Sequence, residues 1–133
     1  MQTTINPPTA PRQLTLSQIE EILSRPLPKS MLKSKTLKGN KVTFIPWHVC
    51  NRILSKYALG WDFRITKTEV TNQFVVLVGE LTIPCSDGVV TRQATGMEAL
   101  DNNNYGDAVT KAESQCFRRC AARFGLGLYL YEN

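Results

Sequence analysis

The segment Asn104-Tyr105-Gly106-Asp107-Ala108-Val109-Thr110-Lys111-Ala112-Glu113-Ser114-Gln115-Cys116-Phe117-Arg118-Arg119-Cys120-Ala121-Ala122-Arg123-Phe124 has the spacing of one long helix. Asn and Asp residues open it, and Gly125 and Gly127 suit its C-terminal end. On a wheel of about 100° per residue, Lys111, Gln115, Arg118, Arg119 and Arg123 fall within an arc of roughly 140°. Val109, Cys116, Phe117, Cys120, Ala121 and Phe124 take the other side, where only Glu113 breaks the apolar run. That side requires a second layer to cover it. The basic side sets cations one to two turns apart, roughly 5 to 10 Å, a spacing comparable to that of phosphates along a nucleic-acid strand. Guanidinium forks also match phosphate oxygens. Two readings of this side stand: a phosphate-binding face, or a solvated basic face where the macrodipole favours cations anyway. No acid shares the basic arc, whereas solvated helices more often mix signs at i,i+4, and this favours binding.

The second layer lies directly upstream. Residues 61–70 alternate, with Trp61, Phe63 and Ile65 on one face and Asp62, Arg64 and Thr66 on the other. Residues 73–83 are rich in β-branched side chains, and Val75, Leu77, Leu81 and Ile83 share a face. Residues 89–95 make a third strand. Thr71-Asn72 and residues 84–88, ending in Asp87-Gly88, are the connections. Strands this close in sequence predict an antiparallel meander. The expected fold class is α+β: a β-meander of three main strands packed on a long C-terminal helix, with shorter N-terminal helices.

Working back, Pro46 suits the first turn of a helix that Gly60 stops. Its apolar side carries Trp47, Cys50, Ile53, Leu54 and Tyr57, assigned to the core. Its other side carries His48, Asn51, Arg52, Ser55 and Lys56. Residues 42–45 read as a short strand. Residues 29–41 hold Lys29, Lys33, Lys35, Lys38 and Lys41 and no acid. They read as a basic connector with a turn at Gly39-Asn40, either a solvated loop or a strip of phosphate contacts. Thr15-Leu16-Ser17-Gln18 forms a possible capping box before Ile19, Ile22 and Leu23, and Pro26 and Pro28 close that short helix. Residues 1–13 contain three prolines and no apolar period. They read as a disordered tail, leaving 14–133 as one domain.

The bulk composition narrows the function. A chain of 133 residues fits one compact domain. Lys and Arg number 16 against 11 Asp and Glu, a net charge of +5 that favours polyanionic partners. Four cysteines, none in a C-x-x-C pair, and a single histidine suggest reduced core thiols rather than a zinc site. No apolar run approaches the roughly 20 residues of a membrane helix, so a cytoplasmic protein without a membrane partner is expected. There is no G-x-x-x-x-G-K-[ST] phosphate loop. Asp62, Glu69, Glu80, Asp87, Glu98, Asp101 and Asp107 form no compact motif of the kind a metal-dependent nuclease needs. The expectation is a protein that is not an enzyme and uses no cofactor, metal or small-molecule substrate.

Residues 112–127 resemble the signature helix of the Rad-fifty-two superfamily of single-strand annealing proteins. Bacterial DdrA-like and phage Sak-like members share the pattern of a small-residue helix, a basic pair, a small residue and then Phe-Gly. Leu128-Tyr129-Leu130-Tyr131 looks like the bacterial and phage version. Upstream, Pro26-Leu27-Pro28, Phe44-Ile45-Pro46-Trp47, Leu54, Gly60, Trp61 and Asp87-Gly88 follow the family's order of landmarks, so the likeness covers about residues 23–131. It implies a β-meander backed by a long helix, with subunits in a ring or open ring. It also implies a basic groove that holds the DNA backbone with its bases exposed, and Arg118 and Arg119 as the basic pair of the inner DNA site.

The implied function is ATP-independent binding of single-stranded DNA and annealing of complementary strands, in recombination or repair. The setting would be a bacterial cell or a phage-infected host, and the partners single-stranded DNA and further copies of the chain. Arg123 joins the site from the helix face; Lys111, Arg92, Arg64, Arg52, Lys41, Lys38 and Lys35 join it on charge alone. Tyr105 is the candidate for stacking on bases. Phe117, Tyr129 and Tyr131 are assigned to core packing or subunit contact, and Trp47 and Trp61 to the core rather than to a stacking platform. The alternatives are a generic single-strand binder such as an OB-like barrel, which needs about five strands, or a basic helix facing an acidic protein surface.

Overall fold

The computed structural model describes residues 5–100 and 105–132, with Tyr105 described only as part of its helix. Helix α1 (Leu16–Leu23) starts where Thr15 and Gln18 close the capping box. The Gln18 N–H donates to Thr15 Oγ1 at 3.1 Å and the Thr15 N–H to Gln18 Oε1 at 2.9 Å. Asp87, from a turn 71 residues away, accepts the Leu16 N–H at 3.0 Å. The helix N-terminus is thereby tied to the sheet. Of the segment expected as a disordered tail, residues 1–4 lie outside the described residues. Ile5 packs against the core, and Gln13 Oε1 accepts the N–H groups of Thr9 and Ala10 at 2.6 and 3.2 Å.

The expected basic connector is a β-hairpin. After a 3-10 turn at Lys29–Met31 come β1 (Lys33–Leu37) and β2 (Asn40–Phe44), antiparallel, with Leu37 opposite Asn40. Lys38 (φ 50°) and Gly39 (φ 82°) form the two-residue turn, one position earlier than expected. Every residue of β1 is exposed. With no buried face, nothing imposes the apolar alternation by which strands are recognised.

Helix α2 (Trp47–Tyr57) follows Pro46 as its N-cap. Only Cys50 and Leu54 of its apolar side are buried. Trp47, assigned to the core, is 53% exposed. Periodicity puts Trp47 in line with Cys50 and Leu54, but the layer they pack on does not extend under the first turn. Trp61 is half-buried, and its indole N–H donates to Ser55 Oγ at 3.0 Å.

Strands β3 (Asp62–Val70), β4 (Phe74–Cys85) and β5 (Gly88–Ala99) form an antiparallel meander with β4 central and a bulge in β3 between Ile65 and Lys67. β4 buries every second residue: Val75, Leu77, Gly79, Leu81, Ile83 and Cys85. It runs through Pro84, so the turn shrinks to Ser86-Asp87, and β5 continues four residues past Thr95.

Helix α3 (Tyr105–Ala122) lies across the buried face of β4 and β5. Small residues set its closeness. A Cβ at Gly96 would collide with the Ala112 carbonyl oxygen, and one at Gly79 would stand 2.7 Å from Cys116 Sγ. The Cys116 and Cys120 thiols donate to the carbonyls of Ala94 and Gly79 at 3.4 and 3.5 Å. All four cysteines are buried and unbridged. Gly125, at φ 108°, turns the chain after α3 where a side chain would meet Ser24 Oγ. In the 3-10 turn Leu128–Tyr131, the Tyr129 hydroxyl accepts the Leu27 N–H at 3.0 Å and closes the C-terminal segment onto the N-terminal one. Among the described residues, no helix is long and apolar enough to cross a membrane.

Candidate nucleic-acid interface

The hairpin register places Lys33, Lys35, Leu37, Val42 and Phe44 on one face, and Ser34, Thr36, Lys41 and Thr43 on the other. The first face looks across a groove of about 380 Å³ at Gln115, Arg118 and Arg119 of α3, with Leu130 and Tyr131 closing one end. Phe44 is the meeting point. Lys35 Nζ lies 5.2 Å from its ring centroid and the Arg118 guanidinium 4.8 Å from it. Two cations gathered on one ring repel each other, and a bound anion relieves that repulsion.

Arg119 and Gln115 also cover the outer edge of β5. Arg119 Nη1 donates to Thr95 O and Oγ1 at 3.2 and 3.4 Å, and Gln115 Oε1 accepts the Met97 N–H at 2.9 Å. A shallower concavity of about 640 Å³ adjoins, lined by Arg92, Gln93, Arg119, Arg123, Leu128 and Tyr131. Arg119 and Tyr131 border both concavities, so the basic strip runs from Lys35 to Arg123.

The remaining candidates separate on these facts. Arg92 is an anchor at the edge of the strip. Its Nη1 reaches Glu20 Oε2 at 3.0 Å and the Arg123 carbonyl at 2.7 Å, and its guanidinium sits 4.6 Å from the Phe124 ring centroid. Lys111 pairs with Asp107 at 3.1 Å, an i,i+4 acid in the first turn of α3. This corrects the expectation that no acid shares the basic arc. Arg64 pairs with Asp62 at 2.6 Å on the sheet face away from α3. Arg52 is exposed on α2, Lys38 sits in the hairpin turn, and Lys41 points away from the groove. Lys35, Arg118, Arg119 and Arg123 are therefore brought together, with Arg92 beside them. Arg52, Arg64, Lys38, Lys41 and Lys111 line neither concavity.

Phe44 is a site feature that helix periodicity does not single out, while Gln115 already shares the basic arc of α3. The signal for Phe44 is the period-two pattern Lys33, Lys35, Leu37 and Val42, Phe44 around Lys38-Gly39. The Tyr105 side chain lies outside the described residues. Cys50 lines the groove, and burial pushes its thiol pKa up to about 12, with Arg118 pulling the other way. The thiol stays protonated and presents no nucleophile at neutral pH. Among the described residues, no three His, Cys, Asp or Glu side chains are placed to hold a metal ion.

No family model matches the chain. Two plant proteins from Arabidopsis thaliana are similar to it. DNA repair RAD52-like protein 1, mitochondrial, is 35% identical over 126 residues, covering 93% of this chain and 72% of the relative. DNA repair RAD52-like protein 2, chloroplastic, is 39% identical over 120 residues, covering 87% of this chain and 60% of the relative. An identity of this size over nearly the whole described fold, basic helix and meander included, makes the chain a member of the RAD52-like DNA repair proteins.

Proposed function

We propose that this chain acts in DNA repair and recombination by binding single-stranded DNA in the groove between the hairpin and α3, and that it anneals complementary strands without nucleotide hydrolysis. The observation that carries this reading is the convergence of Lys35 and Arg118 on Phe44, beside Arg119 and Arg123, along one concave strip. Cations at that spacing hold backbone phosphates and leave sequence unread. Bases turned outward then test a second strand by pairing, and the pairing supplies the free energy. Within the family we place the chain with the bacterial and phage type, acting in the cytoplasm, on the Leu128-Tyr129-Leu130-Tyr131 segment that follows the helix. The working form is a homo-oligomer; exposed Val70, Phe74 and Met97 at one end of the meander offer apolar surface for subunit contact.

The test mixes two labelled complementary oligonucleotides without nucleotide and follows pairing by fluorescence transfer. Wild type is compared with Arg118→Ala, and with the Arg118→Ala, Arg119→Ala pair once its fold is checked, since Arg119 also holds the β5 edge. Faster pairing with wild type, lost in both variants, supports annealing at this groove. Tight strand binding without faster pairing replaces annealing with simple single-strand binding.

A further inference from the structure

A third concavity, of about 340 Å³, opens on the other flank of α2. Its apolar walls are the rings of Trp47, Trp61, Phe63 and Phe117. Phe117 meets Trp61 in a tilted contact and Phe63 edge-on, with ring centroids 5.6 and 5.1 Å away, forming an aromatic floor. Trp47 stands over half exposed at the rim. Asn51, Glu113 and Ser114 bring hydrogen-bonding side chains to the same pocket, and none of these side chains makes a hydrogen bond among the described residues. Among the described residues, no Lys or Arg lines it.

We propose that this pocket takes one nucleobase of the strand whose phosphates lie in the basic groove; the proposal rests on the single-strand-binding reading above. Two distances in the chain connect the sites. Trp47 follows Phe44 by three residues, which spans at most about 11 Å. Ser114 precedes Arg118 by four residues of one helix, about 6 Å along its axis. A base attached to a phosphate held at Arg118 is thus within reach of Trp47. The chemistry fits a base better than it fits a phosphate or an apolar side chain. A phosphate finds no cation there. An apolar side chain from another protein leaves three polar groups unpaired, a costly outcome. A base offers a planar face to the rings and an edge of donors and acceptors to Asn51, Glu113 and Ser114. Glu113, which only accepts when ionised, favours an exocyclic amine.

The probes are two oligonucleotides of equal length, one carrying bases and one abasic throughout. Wild type should bind the base-bearing strand more tightly. Trp47→Ala should lower that affinity by about fivefold or more, given typical stacking strengths, and leave abasic affinity unchanged. Arg118→Ala should weaken both strands alike. Glu113→Gln should narrow the difference between cytosine and thymine homopolymers without changing abasic binding. Equal wild-type affinity for both strands overturns the proposal, as does Trp47→Ala binding like wild type. A change of oligomeric state in Trp47→Ala, read by light scattering, also overturns it and makes the pocket a contact between copies. Wild type that binds neither strand overturns the single-strand reading itself.

Discussion

The meander and the β1–β2 hairpin are both antiparallel, yet different forces hold them. β4 buries six alternate residues in the core. β1 buries none. In the meander, a one-residue slip would turn the whole apolar set to solvent, so burial fixes the register. In the hairpin, the Lys38-Gly39 turn fixes the register, and Phe44, packed with Lys35 and Arg118, fixes the position over α3. A rigid layer thus presents the basic face of α3, while the opposite wall of the groove is held mainly by charge on a ring. Such a wall responds to an anion in a way that the sheet does not.

The largest expected effect tests the rigid side. Gly96→Val drives a side chain into the Ala112 carbonyl oxygen, so α3 must lift from the sheet. Overpacking typically costs about 1 to 3 kcal/mol, and a backbone obstacle puts this case at the upper end or beyond. Chemical denaturation should show that loss, and an unchanged midpoint would break the claim that contact at Gly96 sets the helix position.

The next effect tests the hairpin. Phe44→Ala removes the ring shared by two cations, with a global cost of about 1 to 2 kcal/mol. Its local signature is sharper: amide exchange should accelerate in residues 33–44 while β4 keeps its protection. Uniform acceleration across both regions would mean that the two are one cooperative unit.

The smallest effect separates the two faces of the hairpin. Lys35→Ala should weaken single-strand binding a few-fold and reduce its salt slope by about 0.7, the loss of one phosphate contact. Lys41→Ala, on the opposite face, should change the slope by less than half as much. Equal slopes for the two variants would remove the hairpin from the interface.

Much of this was readable before any coordinates. The capping box at Thr15, the three strands, the glycine end of the last helix and the split of α3 into two faces all follow from local periodicity and turn chemistry. The hairpin was hidden because exposed strands need no apolar alternation. Trp47 was misplaced because a helical stripe does not record where the neighbouring layer ends. Arg92 looked like any other cation, and its engagement with Glu20 and Phe124 depends on elements far apart in sequence.

By itself, the sequence determined the α+β class, the order of the elements, the basic face of α3 and the resemblance to a family, because each is written in spacings of a few residues. Only the tertiary structure decided which cations share a groove. Lys35 and Arg118 are 83 positions apart in sequence and meet on Phe44 because the hairpin turn fixes one face of β1–β2 and small residues let α3 lie close on the sheet. Charge counts carry no record of such long-range approach; packing creates it.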